Sequence, residues 1–140
     1  MQNKLLTWVV MIGLAVLTAQ VAHAQGSQPG QIRVVNVTGQ VTLTNKADNM
    51  TRPAVSNENI AAGYIVTTAA NASVVLVFSN GSTVNLRGDT VLDIETFMQD
   101  PFAANLNVAS LTSEPTTSTT RLNLSRGEII GNVKTLNAAG

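Results

Sequence analysis

Ser73 to Leu86 reads SVVLVFSNGSTVNL, two runs of β-formers separated by Asn80-Gly81. Asn-Gly between apolar runs is the strongest short-range hairpin signal, because a two-residue type I′ turn needs positive φ at both central positions. With Asn80 and Gly81 as the loop, Ser79 faces Ser82, Phe78 faces Thr83, Val77 faces Val84, Leu76 faces Asn85 and Val75 faces Leu86. That register gathers Val75, Val77, Val84 and Leu86 on one apolar face and leaves Leu76 and Phe78 on a mixed one. Side chains alternate with a period of two, so a slip of one residue would move half of the apolar set to the other side. Gly81→Val, which forbids the turn, is expected to unfold the domain, with the melting temperature as the readout.

Outward from the hairpin, the same period recurs. Toward the N-terminus, Ile32 to Val37 (IRVVNV), Gln40 to Thr44 (QVTLT) and a run near Tyr64 to Thr67 are β-rich, and Val41 and Leu43 alternate with threonines. Asn45 to Asn59 carries turn formers, Pro53 and much local charge, which predicts an exposed loop with a short strand around Pro53 to Val55. Gly63 marks a bend before the Tyr64 strand. Toward the C-terminus, Arg87-Gly88-Asp89 turns the chain into Thr90 to Phe97, with Leu92, Ile94 and Thr96 on one face and Asp93 and Glu95 on the other. The hairpin and this strand read as a meander. Met98 to Thr120 reads as a long excursion, mobile around Ser113 to Thr120. Arg121 to Ser125 and Glu128 to Val133, joined by Arg126-Gly127, suggest a second hairpin. The expected fold is all-β, a small antiparallel sandwich or rolled sheet built from hairpins.

The first 24 residues have another character. Lys4, an apolar core from Leu5 to Leu17 and Ala22-His23-Ala24 form the three-part pattern of a secretory signal peptide, cleaved between Ala24 and Gln25. The apolar run is shorter than the ~20 residues of a spanning helix, so no transmembrane segment is expected after cleavage and the protein is expected to be periplasmic or extracellular. The expected organisation is a signal peptide over 1–24, a flexible leader over 25–31 and a β domain over 32–137 with a loop insert at 98–120. The remaining 116 residues contain no His, Cys or Trp, seven basic residues and eight acidic ones. Without His or Cys there is no Ser-His-Asp or Cys-His nucleophile pair, no thiol redox chemistry and no ordinary zinc site. The cations stand singly, which argues against nucleic acid.

Oxygen chemistry is what remains. Asp93 and Glu95, two apart on a strand, have about the separation at which paired carboxylates act in glycosidases, but two charges on a wet strand face are the commoner arrangement. Asp89, Asp93 and Glu95 could offer oxygens to calcium, yet the spacing fits no EF-hand or repeat-type loop. Five N-x-S/T sequons, at Asn36, Asn49, Asn71, Asn80 and Asn123, arise by chance in an Asn- and Thr-rich β protein. Tyr64 and Phe102 read as core or loop anchors. No catalytic residue, cofactor or metal site is expected.

The runs Gly63 to Glu95 and Leu122 to Leu136 together carry a family pattern. It comprises Gly63, Thr67-Thr68, Ala72 to Ser82 (ASVVLVFSNGS), the strand pair from Leu86 to Ile94, Leu122 to Glu128 (LNLSRGE) and Gly131-Asn132-Val133-Lys134. With this pattern the chain resembles the FecR domain, a periplasmic β module, over roughly Arg33 to Leu136. The insert Asp100 to Thr120, with its Pro-Phe and Glu-Pro-Thr-rich halves, is similar to that of exported members. The resemblance implies a non-enzymatic binding or structural module of the envelope, whose partner is another envelope or outer-membrane protein or a surface polymer. Edge strands and the Met98 to Thr120 loop are its expected contact surfaces. Regulatory members have an anti-sigma bundle and a membrane span, and some cleave themselves at a Gly-Thr bond. This chain has a signal peptide instead and no Gly-Thr, the nearest analogue being Gly81-Ser82. A sensor in a split signalling system and a hydrolase using Asp93 and Glu95 are the other readings. Exported members also continue into further strands past the equivalent of Asn137.

Overall fold

The computed structural model describes residues 26–103 and 105–137, so the expected signal peptide and its expected cleavage site, Ala24 and Gln25, lie outside the described residues. Among them the chain is all-β, with one turn of 3-10 helix at Val108–Ser110. The strands are β1 (Gln28–Pro29), β2 (Ile32–Thr38), β3 (Val41–Asn45), β4 (Thr51–Pro53), β5 (Asn59–Ile60), β6 (Tyr64–Thr68), β7 (Ser73–Phe78), β8 (Thr83–Leu86), β9 (Val91–Gln99), β10 (Ser118–Arg126) and β11 (Ile129–Asn132). One antiparallel sheet runs β1-β9-β6-β3-β4, with β10 on the other edge of β9, and the second runs β11-β8-β7-β2-β5.

The hairpin forms, but through three residues rather than two. The Gly81 N–H donates to Phe78 O at 2.8 Å, closing a tight turn, and the Phe78 N–H donates to Ser82 O at 2.9 Å. Gly81 has φ +89 and Asn80 is not in the positive-φ region, so this is a turn followed by a bulge glycine. The register therefore differs by one from the two-residue reading: Val77 faces Thr83, Leu76 faces Val84 and Val74 faces Leu86. Val74, Leu76 and Phe78 are buried with Val84 and Leu86, whereas Val75 and Val77 are half-buried on the outer face. The reason is volume. Burying Leu76 and Phe78 in place of two valines gains about 2 kcal/mol at ~0.8 kcal/mol per CH₂. The requirement for glycine at position 81 is unchanged.

Each long strand runs through both sheets. β2 passes into β3 at Gly39, β6 into β7 at 69–72, β8 into β9 at 87–90 and β10 into β11 at Gly127, and in every case the chain changes layer. Since β2 pairs β7 while β3 pairs β6, and β8 pairs β11 while β9 pairs β10, the fold is one antiparallel ribbon of four bent strands creased down the middle. The meander is thus real at the level of the bent strands, although β8 and β9 do not share a sheet. The second hairpin is not formed. β10 and β11 lie in opposite sheets, because Arg126-Gly127 crosses the crease instead of reversing the chain.

Two further expectations change. Leu92 and Ile94 face the core, but Thr96 does not: Arg121 pairs Thr96 and Leu122 pairs Ile94, so Glu95 is a bulge residue and Phe97 takes the inward position. The leader belongs to the sheet, with β1 paired to Gln99 and Met98 and the Gly30 N–H donating to Phe97 O at 3.0 Å. The short strand expected around Pro53 to Val55 is Thr51–Pro53.

One side of the sandwich is well closed. β4 covers the edge of β3 and β5 that of β2, and the loop between them is tied down by an Arg52–Glu58 ion pair at 2.6 Å. Burial pushes the Glu58 pKa up, but hydrogen bonds from Arg52 and from the Val55 N–H (2.7 Å) outweigh it and hold the carboxyl below its ordinary value. A depressed carboxyl stabilises the fold above its unfolded pKa and loses that contribution as pH falls through the folded one. Urea melts should therefore show a Glu58 contribution that is constant above about pH 5 and fades below about pH 4. Glu58→Gln should abolish that part of the pH dependence while costing about 1 kcal/mol or less at pH 7.

Candidate functional site

The opposite side of the sandwich is built differently. Among the described residues β10 pairs only β9 and β11 only β8, so the last bent strand forms the outer edge of both layers. Its inward row follows from the pairing: Ser118, Thr120, Leu122 and Leu124 lie across from Gln99, Phe97, Ile94 and Leu92, and Ile129 and Gly131 from Leu86 and Val84. On the covered side, inward residues such as Ile32, Val34 and Leu43 are fully buried. Here Leu124 remains 40% exposed, Val133 66% and Leu136 59%. A Cβ placed on Gly131 would meet nothing within 4 Å. β10 and β11 diverge from the crease, and between them opens a cleft of about 370 Å³ floored by Phe78, Val84 and Leu122 and rimmed by Val133 and Leu136.

One end of this cleft is polar. The Asn80 side chain accepts from the Ser82 N–H at 3.0 Å and donates to Ser118 Oγ at 3.0 Å, and Ser118 in turn donates to Glu114. Glu114 is 3% exposed and accepts from the Asn137 N–H at 2.7 Å, while its own N–H donates to Thr135 O. These contacts correct the reading of Ser113 to Thr120 as mobile. Glu114 anchors the segment to the hairpin tip and to the C-terminal residues, and Ser118 to Thr120 already belong to β10. Nothing in the sequence singled Glu114 out, because its role depends on Asn137, 23 residues after it, and on Ser118, which carries the contact on to Asn80.

Residues weighed for chemistry are dispersed. Asp93 is engaged by Lys46, with Nζ at 2.8 and 3.0 Å from its two oxygens, and Glu95 sits exposed on the bulge. Asp89 lies at the crease with φ +54. No three acidic side chains come together as a metal site among the described residues. Asn36 and Asn49 occupy positive-φ positions, at +50 and +56, and Asn80 is buried, while Asn71 and Asn123 are exposed. Tyr64 packs against the core, and Phe102 lines a second hollow of about 440 Å³ with Gly30, Arg33 and Gln99. Gly81-Ser82 lies in the hairpin bulge. Among the described residues no helix is long and apolar enough to cross a membrane. Set against known proteins, the chain matches no family model, no curated protein and no solved structure.

Proposed function

We propose that the chain is an exported, non-enzymatic, FecR-like β domain, a binding module of the cell envelope that docks its partner along β10 and β11. The observation that carries this reading is the contrast between the two sides of the sandwich. β4 and β5 cap one side, whereas the other carries inward apolar residues at a strand edge with no strand beyond it among the described residues. Such an edge presents unpaired backbone groups to an incoming strand, and the cleft offers its alternate side chains somewhere to go. Export rests on the pattern of residues 1–25, and the family reading on the motifs from Gly63 to Lys134.

The test immobilises the processed chain and compares two lysine variants for retention of envelope proteins or polymers. Leu124→Lys places a charge on the open edge, and Met50→Lys places one on an exposed residue of the loop between β3 and β4. Loss of the retained species with Leu124→Lys and not with Met50→Lys is the expected result. Equal retention by both, or an unmodified chain that is monomeric and retains nothing, would overturn the assignment.

A further inference from the structure

We infer that the occupant of the open edge is the same edge of a second copy of this chain, an inference that rests on the docking surface proposed above. β8-β9 and β10-β11 are antiparallel neighbours that bend at one crease, with Thr90 lying against Gly127. The next strand of such a ribbon must run antiparallel to β10-β11 and bend at the same place. The β10-β11 of a second copy meets both conditions when a two-fold axis passes through the crease at Arg126-Gly127. β10 of each copy then lies along β11 of the other, and both layers continue across the interface.

Register follows from the period of two. Leu124 falls opposite Ile129 of the second copy, Leu122 opposite its Gly131, Asn123 opposite its Ile130 and Arg121 opposite its Asn132. Inward residues meet inward ones, and Leu122 enters the empty space above Gly131. Ile130, 47% exposed on the outer face, gains a neighbour. Charge agrees: near the axis each copy contributes Arg126 and Glu128, opposite in sign, and Arg121 faces a neutral residue. Pairing β10 with β10 instead would leave both β11 edges bare. Two arms of about 20 Å each, at ~3.3 Å per residue, bury on the order of 1,000 Å² in total, the lower bound for a specific interface, so a micromolar dimer is expected.

Sedimentation equilibrium of the processed chain from about 1 to 100 μM should show a monomer–dimer equilibrium. Gly131→Arg should weaken it at least about 100-fold by burying an unpaired charge, with an unchanged melting temperature for the dilute monomer. The chain has no cysteine of its own, and Arg121 and Asn132 lie on the outer faces of opposite layers, so the register can be tested by oxidation. Arg121→Cys combined with Asn132→Cys should give a disulfide-linked dimer, and neither single variant should. A chain monomeric at 100 μM, or equal cross-linking of the single variants, overturns the second-copy assignment. If the monomeric chain nevertheless loses an envelope partner on Gly131→Arg, the docking surface stands without it; if Gly131→Arg and Leu124→Lys both change nothing, the docking surface falls as well.

Discussion

Gly127→Ala is expected to destabilise the domain by about 2–5 kcal/mol, from a strained backbone and from overpacking together. Gly127 has φ +92, a conformation that costs any residue with a Cβ. The new atom would also stand 2.3 Å from Thr90 Oγ1 and 2.5 Å from Thr90 Cα, neither of which is the free end of a flexible side chain. Thr90 is fully buried and cannot yield, because its N–H donates to Thr68 Oγ1 at 3.0 Å and its hydroxyl accepts from the Glu128 N–H at 3.1 Å. The damage falls where β10 becomes β11, so the Arg87 N–H to Glu128 O bond and the pairing of β11 with β8 go with it. Chemical denaturation of the variant should show a lower midpoint, and hydrogen exchange should show lost protection concentrated in β11. A midpoint within error of the parent would mean that the crease is not as close as 2.5 Å.

What could be read in the sequence is the set of features decided within one strand. Val41 and Leu43 against Thr42 and Thr44, or Leu92 and Ile94 against Asp93, announce their faces by alternation, and those faces are the observed ones. The type of each segment follows from Val, Ile and Thr content in the same local way, which is why the all-β class was legible. Features decided between strands were not. Arg126-Gly127 looks like Asn80-Gly81 in composition, but one crosses the crease and the other reverses the chain. Only the positions of β8 and β9 distinguish them. The hairpin register itself turned on whether Ser79 or Gly81 shares the tight turn with Asn80, a choice settled by burial of Leu76 and Phe78 and by the Asn80 contact with Ser118, 38 residues away. The open edge was anticipated in kind, as an exposed edge strand. Its location was not, because Leu122, Leu124 and Ile129 alternate like any half-buried strand, and what they lack among the described residues is a neighbouring strand.

Phe97→Ala against Thr96→Ala separates these two kinds of information in one experiment. Simple alternation from Leu92 and Ile94 puts Thr96 in the core and Phe97 outside, whereas the bulge at Glu95 reverses the two. Phe97 is fully buried and meets Phe78 edge to face, ring centroids 5.0 Å apart at 83°. Gly30 lies so close above the ring that a Cβ there would be 2.3 Å from it. Removing the ring should cost about 3–5 kcal/mol, the transfer of a large aromatic plus the cavity it leaves, and should lower the melting temperature by on the order of 15 °C or more. Because β1 is held to β9 next to this ring, protease cleavage near Gln28 should also accelerate in the variant. Thr96 lies on the outer face opposite Arg121 and loses little when truncated, about 0.5 kcal/mol. Equal losses in the two variants, or a larger one at Thr96, would place the bulge elsewhere in β9. That would shift the β9–β10 pairing and with it the inward row on which the open edge depends.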